Sequence, residues 1–496
     1  MSDTYRFATL IALVGAVGLL ALLSNRLTER IRIPAPLLVL IAAAVVVAAV
    51  PRVHEPPHQL VERLVTLALI GILFDGGLHM GWPRFRTSAA PIVVLGVLAT
   101  FLTVAAGALF VHFALDLDWF TSILLATAIA PTDPAVVFSV LGKREVDGRS
   151  GTILEGESGA NDPVGIALML SLISAGHLDA GAFAHVAGEF ALQMVLGALL
   201  GILGGRAMLW FMQAVPLPGE GLYPLRTAAC ALILFGVTTL AHGSGFLAVF
   251  LAGIVLGDSR APYKHEIQRF HSALASLGEI VAFTLLGLTV KLSVLSHPSV
   301  WAAGLVVGAV LAIIIRPLAA GVCLLPSGLP TNERWFILFA GLKGAVPILL
   351  GTLILAADIP DAQRVYGIVV VVVLFSVLVQ GSLVPDVARW LHIPMRTRPL
   401  EPWSVGIRLG NDPAGVHRLT VAEGTVAEGI RLDDLPQLPG DASISLVVRN
   451  GELLPVGADV RLRCGDELLV VANPEADDEL AAALSAIFQS PRPASN

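Results

Sequence analysis

Two polar segments interrupt apolar stretches of the sequence and carry its clearest candidate chemistry. The first reads Ala-Pro-Thr-Asp-Pro at 130–134. Each proline removes one amide donor and leaves the carbonyl four residues earlier without its helical partner. Those carbonyls, the Thr132 hydroxyl and the Asp133 carboxylate are oxygen donors that can replace the hydration shell of a monovalent cation. The segment therefore predicts a cation site, although a proline kink with Asp133 capping the second half-helix would also explain it.

The second polar segment begins at Glu157 and ends at Pro163. Ser158, Asn161 and Asp162 are spaced i, i+3, i+4, so they share one face of a helix, and Glu157 lies at the adjoining edge. A carboxylate, an amide oxygen and a hydroxyl on one face predict ligands for a dehydrated monovalent cation. The alternative is that these residues only form the acidic N-terminal turn of a helix.

Three further charged residues fall within apolar stretches: Asp75, Arg316 and Lys343. An ionisable side chain at the bilayer centre costs at least ~2.5–3.5 kcal/mol, so each requires a reason. Asp75 would either be interfacial or face the polar centre. Arg316 requires an acidic partner, because an unpaired buried guanidinium is strongly unfavourable. Lys343 interrupts an apolar helix beside Pro347, as Asp133 interrupts an earlier one.

The composition indicates that these residues belong to a membrane protein. Only 14% of the residues are charged, 55% are hydrophobic and the mean hydropathy is +0.80. Soluble proteins carry about 25% charged residues. The pattern predicts about thirteen spans of the hydrocarbon layer. Their expected positions are 7–27, 34–51, 60–80, 88–114, 119–141, 157–176, 183–213, 223–242, 245–258, 271–293, 299–324, 333–356 and 363–392.

The two interrupted spans occupy matching places in the chain. The spans that contain Asp133 and Lys343 are each the fifth member of a six-helix set, and one odd span between the sets makes the repeats inverted. Paired broken helices at such positions indicate the transport site of a secondary transporter. The predicted fold class is therefore an all-α polytopic membrane protein, with two inverted six-helix repeats whose broken helices cross.

Basic residues in the loops predict the orientation in the membrane. They concentrate in one set of alternate loops, at 26–32, 84–86, 143–149, 260–269 and 334. Because cytoplasmic loops are enriched in Lys and Arg, the N-terminus is predicted outside and the C-terminus in the cytoplasm. The chain is therefore expected to be a multi-pass membrane protein.

The composition becomes ordinary near the C-terminus, which predicts a small α+β cytoplasmic domain. The expected organisation is a transmembrane domain at 1–395, a linker at 396–405, a regulatory domain at 406–490 and a disordered tail at 491–496. Alternating apolar residues predict two hairpins, which pair 444–448 with 453–456 and 460–464 with 467–471. An amphipathic helix is expected at 475–488.

At these residues the sequence resembles the cation:proton antiporter-1 family, which includes NhaP-type and sodium/proton exchanger relatives. The resemblance extends over about 7–395 and rests on Thr132-Asp133-Pro134, Glu157-Ser158-x-x-Asn161-Asp162, Arg316 and Gly341-Leu342-Lys343-Gly344-Ala345. It implies a homodimer in the lipid bilayer of a bacterial inner membrane, with crossed, unwound helices five and twelve.

The same resemblance implies roles for individual residues. Asp162 would bind either the cation or the proton. The residues that would help to bind the ion are Asp133, Thr132 and Ser158. Glu157 and Arg316 would form a structural ion pair. Asp75 resembles an accessory acidic position of archaeal members.

Two positions and the tail refine the expected substrate. Asn161 stands where electrogenic members have a second Asp, which implies electroneutral one-for-one exchange. Lys343 replaces the Arg of most members and, with Pro347, resembles the potassium/proton branch. The tail resembles the C-terminal half of the regulator-of-potassium-conductance module (TrkA-C). That likeness implies a small nucleotide-like ligand and again favours potassium.

The predicted function is secondary antiport of K⁺ or Na⁺ against H⁺ by alternating access. A proton and a cation would compete for Asp162. A cation channel or a proton-coupled transporter of an organic solute remains the alternative. The sequence contains no G-x-G-x-x-G or G-x-S-x-G motif and no long basic tract. It therefore predicts no enzyme activity, no cofactor and no nucleic-acid partner.

Overall fold

A computed structural model shows two compact units, Met1–Arg398 and Pro399–Asn496. The described residues are 15, 18, 19, 35–49, 56–141, 144–177, 180–257, 263–357, 359–397, 416–422, 425–434, 442–449, 452–454, 460–471, 484, 487 and 488. The predicted span at 7–27 and the predicted linker lie mostly outside these residues, and the terminal tail lies wholly outside them.

The first unit is helical. Its helices are α1 Ala35–Ala49, α2 His58–Val93, α3 Thr100–Leu115, α4 Trp119–Ile129, α5 Pro134–Leu141, α6 Gly148–Ala175, α7 Ala180–Ala214, α8 Leu222–Leu240, α9 Gly245–Gly257, α10 Lys264–Leu288, α11 Leu292–Leu295, α12 Pro298–Val310, α13 Arg316–Leu324, α14 Thr331–Phe339, α15 Ala345–Ala356, α16 Ala362–Phe375 and α17 Ser382–Trp390. Two short strands, β1 Arg144–Val146 and β2 Met395–Thr397, pair antiparallel.

The prediction of a polytopic membrane protein is confirmed. Among the described residues, seven helical segments are long and apolar enough to cross a membrane, and three shorter apolar helices accompany them. The count of thirteen spans stays a prediction.

Two predicted spans, 60–80 and 88–114, meet at a break inside the segment labelled α2. Helix α2 continues through the π-helical turn Val94–Ala99 into α3. The predicted loop between them is a kink at Gly81, which has φ 63° and ψ 164°. Only glycine adopts this region readily, so the first helix ends at Gly81 and a second helix begins after it.

The two interrupted spans are broken and cross each other. Helices α4 and α5 are separated by non-helical backbone at 130–133, and α14 and α15 are separated at 340–344. At the crossing the Asp133 amide donates to the Leu342 carbonyl over 2.8 Å. A direct backbone hydrogen bond therefore joins the two breaks, as the predicted fold requires.

Helix α6 begins earlier than the predicted span at 157–176. It begins at Gly148, so the polar residues from Glu157 to Asp162 lie in its buried interior. The alternative that they only form an acidic first turn is therefore wrong. Helix α6 also lies very close to the first break, because a Cβ at Gly165 would be 2.6 Å from the Pro131 ring.

The second unit contains an antiparallel sheet. Its strands are β3 Val416–Thr420, β4 Ser443–Arg449, β5 Glu452–Leu454 and β6 Glu467–Val471, in the order β3-β6-β4-β5. The predicted hairpin of β4 and β5 is present, with Val447 opposite Leu454.

The second predicted hairpin, 460–464 with 467–471, is wrong. Strand β6 pairs with β3 and β4 instead, and Arg461 forms only a bridge with Arg431. Leu468 and Val470 of β6 are buried in the core of this unit. Their burial favours a central position for β6, between β3 and β4.

An ion pair joins β4 to the residue that precedes β6 in this unit. Arg449 donates from Nε and from its second terminal nitrogen to Asp466 Oδ1 and Oδ2, at 2.8 and 2.7 Å. The hydrogen bond with Asp466 raises the pKa of the Arg449 guanidinium above its ordinary value. Asp466 also accepts from the Arg463 amide, so its carboxylate is fully committed to structure.

Candidate functional site

Asp133 lies at the first break and caps α5. Its Oδ1 accepts a hydrogen bond from the Ala135 amide at 2.9 Å. A Cβ on Gly344 would be 1.8 Å from Asp133 Oδ2, so only glycine fits at this point of the second break. The capping contact from Ala135 uses Oδ1, and Oδ2 lies against Gly344 in the second break. Capping and ion binding by this carboxylate are therefore compatible.

Asp162 is a buried carboxylate with little hydrogen bonding. Its side chain lies in the interior of α6, and the residue is only 8% exposed. Among the described residues its only hydrogen bond comes from Ser158 Oγ, at the long distance of 3.5 Å. The charges of Asp133 and Lys343 both act on it electrostatically. Asp162 thus offers oxygens for a ligand next to a second carboxylate.

Asn161 holds the first break against α6. Its Nδ2 donates to Thr132 Oγ1 at 2.8 Å, and its Oδ1 accepts from the Thr132 amide at 3.4 Å. The Thr132 hydroxyl also lies 3.5 Å from Glu157 Oε1. The polar atoms of Asn161 are therefore used to position Thr132. The sequence predicts Asn161 as an ion ligand, whereas in the structure both polar atoms of its side-chain amide contact Thr132.

Glu157 and Arg316 form a buried ion pair. The two terminal nitrogens of Arg316 donate to Glu157 Oε1 and Oε2 at 2.7 and 3.1 Å. The guanidinium also donates to the carbonyls of Leu338 and Ile337, at the C-terminal end of α14. A Cβ on Gly341 would be 1.8 Å from Arg316 Nε. One arginine thus neutralises a carboxylate and caps the first half of the second broken helix.

Lys343 caps the other broken helix. Its Nζ donates to the carbonyls of Ala130 and Pro131 at 2.7 and 3.1 Å, and its amide donates to Ser376 Oγ. A positive charge at the C-terminal end of α4 is favoured by the helix dipole. The carbonyl of Ala130, freed by Pro134, therefore binds the lysine ammonium. The prediction that this carbonyl stays free for a transported cation is wrong, because Lys343 takes it.

Three π-helical turns surround this crossing. A Cβ on Gly96, in the turn Val94–Ala99, would be 2.4 Å from Ala160 on α6. Arg316 directly follows the turn Leu311–Ile315, and Ser376 begins the turn Ser376–Gly381. Such turns often occur at functional sites, because the extra residue re-aims a side chain. Sequence reasoning missed Ser376, which carries no charge to mark it.

Asp75 lies apart from the other predicted residues. It accepts from Ser272 Oγ on α10 at 3.1 Å and lies 3.3 Å from His79 Nδ1. No hydrogen bond or ion pair joins it to Asp133 or Asp162 in the described part of the chain. The structure therefore brings together Thr132, Asp133, Glu157, Ser158, Asn161, Asp162, Arg316 and Lys343, and it leaves Asp75 at the α2–α10 contact.

One membrane carboxylate was missed altogether. Glu279 lies within α10 and interacts electrostatically with Asp133. Its signal was present in the sequence as a single acidic residue in Leu-Gly-Glu-Ile-Val-Ala-Phe, at 277–283.

Comparisons with known proteins agree with this geometry. The family model described as sodium/hydrogen exchanger, transmembrane, matches residues 16–390, and the TrkA-C domain model matches residues 416–485. The K(+)/H(+) antiporter NhaP of Alkalimonas amylolytica is 31% identical over 96% of this chain and 84% of its own. The Na(+)/H(+) antiporter NhaH of Halobacillus aidingensis is 28% identical over 72% of this chain and 91% of its own.

A solved structure shares the fold of the first unit. The sodium proton antiporter MjNhaP1 from Methanocaldococcus jannaschii superposes with a TM-score of 0.64, at 21% identity, over 75% of this chain and 99% of its own. The exchanger family match covers most of the chain, and the TrkA-C match covers the tail. This chain belongs to the sodium/hydrogen exchanger family of transmembrane proteins and carries a C-terminal TrkA-C domain.

Proposed function

We propose that this protein exchanges a monovalent cation for protons across the membrane, with K⁺ favoured over Na⁺. The observation that carries the proposal is Asp162: a buried carboxylate at the crossing of two broken helices, with one long hydrogen bond and Asp133 beside it. A buried carboxylate without a permanent cationic partner requires a proton or a cation to neutralise it. No covalent step, and hence no enzyme activity, is required.

The transport cycle follows from competition for one site. Asp162 binds either the proton or the cation, because each neutralises the same charge. Asp133 and Ser158 supply further oxygens, and the helix ends at the crossing are already neutralised by Lys343 and Arg316. The neutralised site then becomes accessible from the other side of the membrane. A ligand can drive this change only through different affinities for the two states.

Potassium is supported by two observations. The relative named as a K(+)/H(+) antiporter aligns with nearly the whole chain, including the tail, whereas the relative named as a Na(+)/H(+) antiporter aligns with 72% of it. The tail match to TrkA-C also favours potassium. Electroneutral exchange is supported by Asn161, whose amide contributes no second titrating charge.

The assembly and the orientation are part of the same proposal. We infer a homodimer in a bacterial inner membrane, with the N-terminus outside and the C-terminus in the cytoplasm. The tail would then regulate transport by binding a small nucleotide-like ligand. Truncation after Arg398 tests this role: exchange should persist, with an altered dependence on pH or ligand. Unchanged kinetics under every condition would argue for a passive tail.

One experiment tests the function itself. Purified protein in proteoliposomes with an internal pH-sensitive dye should release or take up protons when K⁺, Na⁺, Rb⁺ or Li⁺ is added outside. We expect the strongest response to K⁺, with no net current. A current without proton coupling would favour the alternative of a cation channel. Proton flux that requires an organic solute would favour a solute carrier.

A further inference from the structure

A carboxylate that the competition at Asp162 does not use lies deep in α10. Glu279 lies nine residues before the nearer end of a helix that spans Lys264–Leu288 and is long and apolar enough to cross the membrane. The residue is half-buried. Within the described part of the chain no hydrogen bond or ion pair holds its side chain. An ionisable group at such depth in the membrane is costly, so structure alone does not account for it.

Glu279 lies within electrostatic range of the crossing. The negative charge of Asp133 acts on it electrostatically, which places it within range of the first break. Helix α10 packs against α15, the second half of the other broken helix, and against α2. The α2 side of α10 is marked by Gly278, where a Cβ would be 3.2 Å from the Ala68 carbonyl. Glu279 follows Gly278, so it lies beside the face of α10 that packs on α2, and it is within electrostatic range of Asp133.

A polar face of α10 connects Glu279 with Asp75. Ser272, Ser276 and Glu279 are spaced i, i+4, i+7 and share one side of the helix. Ser272 donates to Asp75 at 3.1 Å and is half-buried, while Ser276 is exposed. The helical rise puts Glu279 about 10 Å beyond Ser272 along the axis. Asp75 and Asp133 thus lie towards opposite ends of one polar side of α10.

We propose that Glu279 is a second ion-binding carboxylate of the transport path, at which protons and cations stop between Asp75 and the Asp133–Asp162 site. The inference rests on the proposed function and extends it. The carboxylate oxygens of Glu279 bind the cation or the proton that has left water, and the ion then moves to Asp162 when that site is free. This role explains both the depth of the residue and its lack of a permanent partner.

Few other charged groups act at this level of α10. Helices α1 and α15 carry no titratable residue. Helix α2 brings Asp75 and His79 to the level of Ser272, two turns away. On α8, Arg226 packs on aromatic rings and donates to the Val215 carbonyl. Asp133 is the charge that acts on Glu279 in the described part of the chain.

The test compares two glutamates of the same helix. Glu279→Gln removes the proposed site, and Glu266→Gln removes an exposed carboxylate from the first turn of α10. Both full-length variants are reconstituted, and exchange is measured against K⁺ concentration and pH. For Glu279→Gln the KM for K⁺ should rise about tenfold and the pH profile should change shape, because loss of a nearby negative charge is worth about that much. For Glu266→Gln both should stay at wild-type values.

A second measurement does not depend on exchange or on the variant folding. Wild-type protein is treated with a hydrophobic carbodiimide, which modifies protonated carboxyl groups away from bulk water, and the adducts are mapped by mass spectrometry. An adduct at Glu279 that added K⁺ suppresses supports the inference. A wild-type KM and pH profile in Glu279→Gln, or labelling of Glu279 that K⁺ does not change, would overturn it. If wild type and Glu266→Gln both fail to exchange any cation, the proposed function itself fails, and the labelling still decides whether Glu279 binds ions.

Discussion

Glu157 and Asp162 are carboxylates on the same buried helix, but their surroundings are opposite. Glu157 accepts two short hydrogen bonds from Arg316 and lies near the Thr132 hydroxyl. Asp162, one and a half turns further along α6, has one contact of 3.5 Å with Ser158. Both residues are less than a tenth exposed. Burial is therefore the same, and only the partners differ.

This difference separates structure from transport. A buried carboxylate that is paired and fully hydrogen-bonded has no oxygen left for a ligand, and breaking it leaves an uncompensated charge. A buried carboxylate without a permanent partner instead binds whatever neutralises it. The two basic residues at the crossing belong to the structural group, because Arg316 and Lys343 both donate to carbonyls at helix ends. At the crossing, Asp133 and Asp162 are thus the carboxylates that no basic side chain pairs with in the described part of the chain.

The largest expected effect tests the role of Asp162 in transport. Asp162→Asn keeps the size of the side chain and removes its charge. Exchange should fall about a thousandfold, because one charge close to a bound cation is worth about 4 kcal/mol at a distance of about 4 Å. The melting temperature in detergent should not fall, since no ion pair is lost. Exchange is measured as cation-induced proton flux in proteoliposomes.

The matched control is Asp386→Asn, an exposed carboxylate on α17. It should exchange at the wild-type rate. If purified Asp162→Asn also exchanged at close to the wild-type rate, a single shared site at this residue would be wrong.

The second prediction tests the structural role of the ion pair between Glu157 and Arg316. Arg316→Ala removes the partner of Glu157 and the cap of α14, so it should destabilise the protein by about 3–5 kcal/mol. Thermal unfolding in detergent measures this. The double variant Glu157→Gln/Arg316→Met should recover part of the loss, because it removes the stranded charge as well. A melting curve equal to that of wild type for Arg316→Ala would show that the pair contributes nothing to stability.

Sequence reasoning located the broken helices but not how their ends are satisfied. Proline and a charged residue within an apolar stretch predict an interruption, and matching positions in the two halves predict a crossing; both features depend on local sequence. The pairing of Lys343 with Ala130 and Pro131 depends on tertiary contact across more than two hundred residues. The freed carbonyl of Ala130 was therefore wrongly expected to remain open.

The same limit explains the other errors. The start of α6 at Gly148 was missed because residues 148–156 contain Gly, Ser, Arg and Glu, whose polarity hides a helix that is buried in protein. The pairing of β6 with β3 and β4 was missed because a strand that follows a turn can join any free edge. Glu279 was missed because one acidic residue changes the hydropathy of a span very little.

The third prediction sharpens the comparison through the residue between the two carboxylates. Asn161→Asp would add a third carboxylate to this part of α6, next to Thr132. A second titrating charge should make the exchange rate depend on membrane potential, whereas wild-type exchange should not depend on it. The measurement uses proteoliposomes clamped at several potentials with K⁺ and valinomycin, and Na⁺ or Li⁺ as the exchanged cation. A steep dependence in wild type would contradict electroneutral exchange.

The smallest expected effect concerns the one hydrogen bond that Asp162 does have. At 3.5 Å the contact from Ser158 is at the limit of hydrogen-bond geometry, so it holds the carboxylate weakly. Ser158→Ala should raise the KM for the cation about threefold, because a neutral hydrogen bond contributes about 0.5–1.5 kcal/mol. Ser171→Ala is the matched control, since this serine lies on the same buried helix and accepts from Gln193 instead. Its KM should not change. A loss as large as that in Asp162→Asn would mean that Ser158, and not the carboxylate alone, determines ion binding. No change at all would mean that Asp162 binds its ligand without help from its own helix, which would leave Asp133 and the first break to supply the remaining oxygens.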